Sequence, residues 1–493
     1  MTTAQLQCPS VEGTSNGARE SSRKTAMDQL ATAIFEELHN AEAESTKILG
    51  DCSDIVLSTL RAGSSVLCAR SSEDARLIIA KLRLLLELAD DQINAVPYAK
   101  VGRHWLQLHT DASLMWTALE LQLYTSGSEP ASRTTWLKML RRLDSAIIIS
   151  GAIGAHRLDW CHECIQLAQS SLAKLSFGIQ EAHSLQADPD IDEIVSGSPW
   201  STRSVPRRSA HLDLAEYQTI ADRGPILLPG AMLSSQSGPC PEWPAIHRWG
   251  SASYLLNAVG DGRWVPVEIG TSYDRPEWTQ AIVPFRSFLQ RAGYQIAVDP
   301  EQDILMTPIT SEGPWYLAQY EFGRQFPQLE RDFFLPDYVW SAPDMSANPD
   351  RPQSSTLPSP AVNIWFGPGD ARVTTPAHTD PTFNCFAQVL GHKRVWLAAP
   401  ACTPFMAPHR PDAGDGVLSV SEYMTNTSSV PVFQAKCSED QMRTSFPDFH
   451  RYVFPEAMET VLAPGDLLLL PPGWWHAMQG IGKAPGCSVS MWF

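Results

Sequence analysis

The sequence predicts an α+β protein in which an all-helical N-terminal domain precedes a β-rich domain closed into a barrel. Three observations predict it. Apolar residues recur at three- and four-residue steps from about residue 23 to residue 186, with no strand signature before residue 200. Beyond residue 210, short apolar runs alternate with Gly and Pro turns. His378 and Asp380 form an H-x-D pair, and a distant His476 follows an apolar run. Two imidazoles and one carboxylate can share a metal ion, and a barrel brings such remote segments together.

Taken in order, residues 1–22 are polar and Ser/Gly-rich, which predicts a disordered terminus. Met27, Leu30, Ile34 and Leu38 begin the helical period. It continues through Ser72–Ala89, Trp105–Leu123, Thr134–Ala152 and Leu158–Phe177, with turn signals at Pro97 and Ser126–Ser128. This helical domain, residues 23–186, carries no catalytic constellation. His104, His109 and His156 read as satisfied histidines, and Cys161–Cys164, a C-x-x-C without a second pair, as two helix positions. Its expected work is packing or holding a partner protein.

Residues 187–209 are polar and end in PWSTRSVPRRSA, which predicts a linker. Arg203, Arg207 and Arg208 form a thin basic cluster there, read as solvated in preference to a nuclear-import signal. The second domain spans residues 210–493. Pro225–Leu228, Trp264–Ile269 and Ile304–Thr307 are strand-like, and Arg275–Gln290 reads as a helix. Asp332–Pro360 is a Pro-rich connection. Asn384–Pro400 reads as two strands around a Gly391–His392 turn, Leu467–Leu470 as a buried strand, and Cys487–Phe493 as the last strand. Thr403–Phe454 is a long irregular insert, expected at the rim of the active-site mouth because loops of that length are commonly functional.

At 493 residues and 43% hydrophobic content, the chain can bury a sizeable core. A formal charge of −17 argues against wrapping nucleic acid and is compatible with a cationic peptide or protein substrate. No apolar run is long enough for a membrane span, and no signal-peptide pattern opens the chain. Ten irregularly spaced cysteines suit reduced thiols. The expected location is intracellular, in nucleus or cytoplasm.

The chemistry centres on two stretches, TPAHTDPTFNCFAQVLGHKRVW (Thr375–Trp396) and PGDLLLLPPGWWHAMQG (Pro464–Gly480). Residues i and i+2 of an extended chain point to one side, so His378 and Asp380 can converge on one ion. Taken alone, H-x-D also fits a hydrated turn opened by Asp380-Pro381. Lys393, among alternating apolar residues, either snorkels at an edge or points inward as a fixed cation.

These stretches, with PILLPGAM (Pro225–Met232), VPVEIGTSY (Val265–Tyr273), PEWTQ (276–280), WYLAQYEF (Trp315–Phe322), PQLERD (Pro327–Asp332) and IWFGP (Ile364–Pro368), make the chain similar to Jumonji-C (JmjC) oxygenases. The resemblance is nearest to the lysine demethylase eight branch, also described as arginyl hydroxylases. It implies a double-stranded β-helix of the cupin or jelly-roll kind. It also implies Fe(II) on His378, Asp380 and His476, with 2-oxoglutarate and O2 as cosubstrates. Lys393, Tyr316, Thr375 and Asn384 would hold 2-oxoglutarate. Glu268, Tyr273, Gln319, Trp365 and Trp492 would form the substrate slot, Glu268 gripping a cationic side chain.

Asp380 stands where the demethylases of the family usually carry Glu, which favours hydroxylation of a protein side chain, arginine first. The alternative on the same centre is N-methyl-lysine demethylation. A third reading, from another class, is a non-catalytic binding or chromatin scaffold.

Overall fold

The computed structural model describes residues 13–125, 130–175, 200–233, 239–275, 277–309, 311–341, 343, 357–370, 372–409, 425–433 and 438–493, with side chains from Lys24 onward. The described chain divides into two compact units. One comprises residues 1–177 with 261–264, the other residues 178–260 with 265–493.

The first unit is helical. Its helices are α1 (Gly13–His39), α2 (Glu44–Gly50), α3 (Asp54–Ala69), α4 (Ser72–Asn94), α5 (Arg103–Thr125), α6 (Arg133–Ser150) and α7 (Arg157–Leu172). Ser53, Ser71 and Ser132 accept backbone N–H bonds at the starts of α3, α4 and α6. Met27, Leu30, Ile34 and Leu38 are buried, as their spacing predicts. One buried ionic group ties the unit together. Arg157, fully buried, donates to Asp111 at 2.9 Å and Glu37 at 3.2 Å. His109 is bonded to Ser150 at 2.9 Å, and Cys161 and Cys164 are buried on α7.

The helical start needs correction. Residues 1–12 lie outside the described residues, but α1 begins at Gly13, well before residue 22. The pair α2 and α3 was not foreseen, because Ser and Gly interrupt the apolar period there.

The second unit is built on two sheets. The larger has the order β2-β11-β8-β13-β6-β5-β3-β4, the smaller β1-β10-β9-β12-β7. The strands are β1 (Arg203–Ser204), β2 (Ile226–Leu228), β3 (Trp264–Ile269), β4 (Thr279–Pro284), β5 (Trp315–Tyr320), β6 (Ala361–Pro368) and β7 (Thr374–His378). They continue with β8 (Asn384–Leu390), β9 (His392–Ala398), β10 (Met458–Leu462), β11 (Leu467–Leu470), β12 (Trp475–Ile481) and β13 (Pro485–Trp492). Neighbouring strands come from segments well apart in the sequence, β12 beside β7 in the smaller sheet and β11 beside β8 in the larger, as in a double-stranded β-helix.

Strand parity decides which side chains enter the barrel. On β9, Val395 and Leu397 join an interior cluster with Phe386, Leu468, Leu470 and Met478, while Trp396 and Ala398 pack outward with Trp475 and Ala477. Lys393 shares the parity of Val395 and therefore points inward. On β13, Cys487, Val489 and Met491 face the outer core, which leaves Ser488, Ser490 and Trp492 facing in.

Three expectations fail here. Trp200 is buried and Arg203–Ser204 pairs with Met458–Glu459, so residues 200–209 belong to the β unit; residues 187–199 of the expected linker lie outside the described residues. Arg203 is ion-paired with Glu456 at 2.6 Å. Arg275–Gln290 is not one helix: β4 occupies Thr279–Pro284 and a helix runs only from Phe285 to Ala292. Pro284 marks that break, since the residue before a proline is driven to extended backbone. Ile304–Thr307 is a turn after the short helix Pro300–Asp303.

Gly391 closes the β8–β9 hairpin at φ 63°, and a Cβ there would lie 2.7 Å from the Pro485 carbonyl. Gly391→Ala should destabilise the β unit by more than about 1–2 kcal/mol, the left-handed cost alone. Thermal unfolding checks this, as an unchanged Tm would mean the hairpin can re-form elsewhere.

Candidate active site

The site is made by one register. β12 pairs antiparallel with β7, and His476 lies directly across from His378. The next pair is Met478 with Thr375, so the ladder slips by one residue at a β-bulge. That slip has a consequence for side chains. Thr375 and His378 are three apart and would face opposite sides of a regular strand; the bulge turns both inward.

Asp380, just beyond β7, completes the group. Its oxygens lie 3.8 Å from His378 Nε2 and 3.6 Å from His476 Nε2. The ligand atoms of the three residues all lie within 4.8 Å of one another, the spacing of a shared ion. Each imidazole uses Nδ1 on a backbone carbonyl: His378 on Pro376 and His476 on Trp474, both at 3.0 Å. This fixes Nε2 as the lone-pair nitrogen aimed at the common point. Burial, then the neighbouring His476, pushes His378 down to about 4, so it stays neutral and able to ligate. The turn before β12 is tied in as well, the Gly473 N–H donating to the Asp380 carbonyl at 2.8 Å.

Behind this group is a small cavity lined by Trp365, Thr375, His378, Asp380, Asn384, Phe386, Lys393, His476, Met478, Ser490 and Trp492. Lys393 is buried and bonded through Nζ to Tyr316 Oη at 3.2 Å. Burial lowers its ammonium to about 8. Two polar atoms in the cavity wall, Asn384 Oδ1 and Trp492 Nε1, are buried without a hydrogen-bond partner. Such groups are costly unless a ligand satisfies them. A buried cation, a phenol, two orphaned polar atoms and an adjacent two-His-one-carboxylate face together suit a small dianionic chelator bound to a metal. The residues present therefore fit Fe(II) and 2-oxoglutarate.

The remaining predicted residues lie on two sides. Glu268 sits opposite Tyr316 in the β3–β5 ladder. Burial raises its carboxyl above the usual range, with the Trp278 indole beside it working the other way. Tyr273 is half-buried, and its phenol is pushed up to about 12, first by burial; Asp380 and Glu268 are both near enough to add to the rise. Trp365 Nε1 donates to Ser490 at 3.0 Å. Gln319 is exposed at φ 47°, where β5 slips against β6, and does not line the cavity. The insert was expected at the mouth of the site, and its returning end, residues 425–433, does lie against the metal strand at His378 and Ala377. Trp278 lies in the quoted stretch PEWTQ, but its place beside Glu268 was not anticipated, because that contact exists only in three dimensions.

A double-stranded β-helix with this metal face and a buried lysine defines a cupin-type oxygenase scaffold. The cupin-like domain family matches residues 218–493. Jumonji C domain-containing protein 5 of Drosophila melanogaster is 34% identical over 251 residues, 51% of this chain and 52% of the fly protein. Lysine-specific demethylase 8 of Danio rerio is 26% identical over 435 residues, 86% of this chain and 89% of the fish protein. Lysine-specific demethylase JMJ30 of Arabidopsis thaliana is 26% identical over 427 residues, 83% of this chain and 84% of the plant protein. The chain thus spans about half the length of the fly relative and most of the other two. The chain belongs to the cupin-like family, within its Jumonji-C branch of 2-oxoglutarate-dependent oxygenases.

Two predictions follow from the geometry. His378→Ala should abolish Mn(II) binding while leaving the metal-free Tm within a few degrees; retained binding would remove His378 from the ligand set. The second concerns pH. An empty-site Lys393 loses its proton around pH 8, whereas one paired with a carboxylate keeps it. Affinity for 2-oxoglutarate should therefore be full below about pH 8 and fall as pH rises above it, by up to about tenfold per unit. Lys393→Met should bind weakly and lose that dependence, as calorimetry across pH can check.

Proposed function

We propose that this protein is an Fe(II)- and 2-oxoglutarate-dependent oxygenase that hydroxylates a protein side chain, with arginine the best fit. One observation carries the choice of a cationic substrate. Glu268 is a largely buried carboxylate with no ion-pair partner among the described residues, paired across the β3–β5 ladder with Tyr316, whose phenol is bonded to Lys393. A buried charge of that kind is costly until a cation meets it. A guanidinium meets a carboxylate through two parallel hydrogen bonds and stays charged at any working pH.

When bound, iron and 2-oxoglutarate supply the oxidation of a C–H bond by O2. His378, Asp380 and His476 would hold the ion. Lys393 and the Tyr316 phenol meet the far carboxylate, and Asn384 and Trp492 gain partners for their buried polar atoms. Glu268 fixes the charged end of the substrate, so the carbon to be oxidised is set by distance from that anchor. Trp365 and Trp492 line the inward face and keep water from it.

N-methyl-lysine demethylation is the second reading, supported by the names of the fish and plant relatives. A methylated ammonium would use the aromatic faces of Trp365, Trp492 and Tyr273 in place of a carboxylate fork. Mass spectrometry on matched peptides separates the two. The arginine peptide should gain about 16 Da without formaldehyde, the hydroxyl oxygen being the added mass. Loss of a methyl group with formaldehyde release from the methyl-lysine peptide alone would overturn the arginine reading. Glu268→Gln should raise the arginine-peptide KM by at least about tenfold, the effect of unpairing a buried charge, with little change in the KM for 2-oxoglutarate.

A further inference from the structure

The metal strand β7 lies at the edge of its sheet, yet its exposed edge is not bare. The end of the long insert returns to it. Thr427 makes an antiparallel bridge with His378, and Ser428 N–H donates to the Ala377 carbonyl at 2.7 Å. Asn426 does more. Its backbone carbonyl accepts from Thr379 N–H at 3.0 Å, and its side-chain Nδ2 donates to the Thr379 carbonyl at 2.9 Å. Thr379 is the middle residue of H-x-D. Both of its backbone groups are therefore held by one asparagine.

The returning segment is itself anchored. Thr427 and Ser428 are buried, and the Ser428 hydroxyl is bonded to the Met406 carbonyl. His409 N–H donates to the Thr427 carbonyl at 3.0 Å, and Val430 and Val432 pack with Trp396 and Trp475 on the outer face of the smaller sheet. A fixed segment thus grips the peptide groups between two metal ligands. Hydrogen bonds of this kind on the far side of a metal site orient its ligands and tune affinity.

We propose that Asn426 is a positioning residue for the metal pair, the insert's returning end acting as a clip that sets the relative orientation of His378 and Asp380. The clip rests on the metal-site reading but not on the choice of arginine as substrate. Without the Nδ2 bond, the Thr379 peptide can turn, and the two ligands no longer hold one fixed spacing. The Asn426 side chain is exposed, so its loss should cost the metal-free fold little.

The test uses the full chain, Mn(II) alone as the probe, and Asn426→Ala beside the neighbouring exposed control Thr425→Ala. Three quantities are read: Mn(II) affinity from the free-ion magnetic resonance signal, the metal-free Tm, and the absorption spectrum of the Co(II)-loaded protein, which reports ligand geometry. Asn426→Ala should weaken Mn(II) binding about 3- to 10-fold, the range for losing one ordinary hydrogen bond from the bound state. Its Co(II) spectrum should shift and its metal-free Tm should stay near wild type, while Thr425→Ala matches wild type in all three. Wild-type Mn(II) affinity in Asn426→Ala would overturn the proposal. So would weakened binding accompanied by a matching fall in metal-free Tm, which marks an edge cover with a structural role only. Because Mn(II) binding needs no peptide, the clip can stand where the arginine reading fails; a wild-type chain that binds no Mn(II) removes both the centre and the clip.

Discussion

The pairing of β12 with β7 is the constraint from which the site follows. His476 and His378 are nearly a hundred residues apart in sequence, yet the ladder sets them across from each other with ring centroids 4.2 Å apart. A slip of one residue would turn His476 out of the barrel and put Trp475 or Ala477 in its place. The register is held by burial on both faces. Trp475 and Ala477 belong to the outer cluster, Met478 to the inner one. The apolar side chains that stabilise the smaller sheet are the same ones that fix the metal spacing.

Within that frame, several of the inward polar side chains gather around one cavity. Strand parity sends Lys393, Asn384, Tyr316 and Trp492 inward from four different strands, and the bulge on β7 adds Thr375. Burial of an ammonium and of two unpartnered polar atoms opposes folding in the empty state. A bound dianion would offset that cost, so the cavity suits an occupant carrying charge at the right depth.

Much of this was legible in the sequence. The H-x-D pair stood out because residues i and i+2 of a strand share a side, a local rule that left a turn as an alternative; the late histidine and the inward role of Lys393 came from the resemblance to Jumonji-C sequences, and the helical part from apolar residues recurring with the helical period. The failures have local causes too. Pro284 splits an apparent helix by a steric effect that periodicity does not register, and the Ser- and Gly-rich stretch around α2 and α3 hides an apolar face. Gln319 sits on a strand whose register slips beside it, so parity misleads there. Asn426 could not have been found, because its partners are peptide groups of Thr379, reached only when the insert folds back.

If three ligands and one lysine form a single centre for a metal and an oxoacid, a crystal structure of the protein with Mn(II) and 2-oxoglutarate should show Mn(II) bonded to His378, Asp380 and His476, chelated by the keto acid end, with the far carboxylate on Lys393 and Tyr316. A metal bound elsewhere, or a cosubstrate carboxylate that leaves Lys393 unpaired, would contradict it.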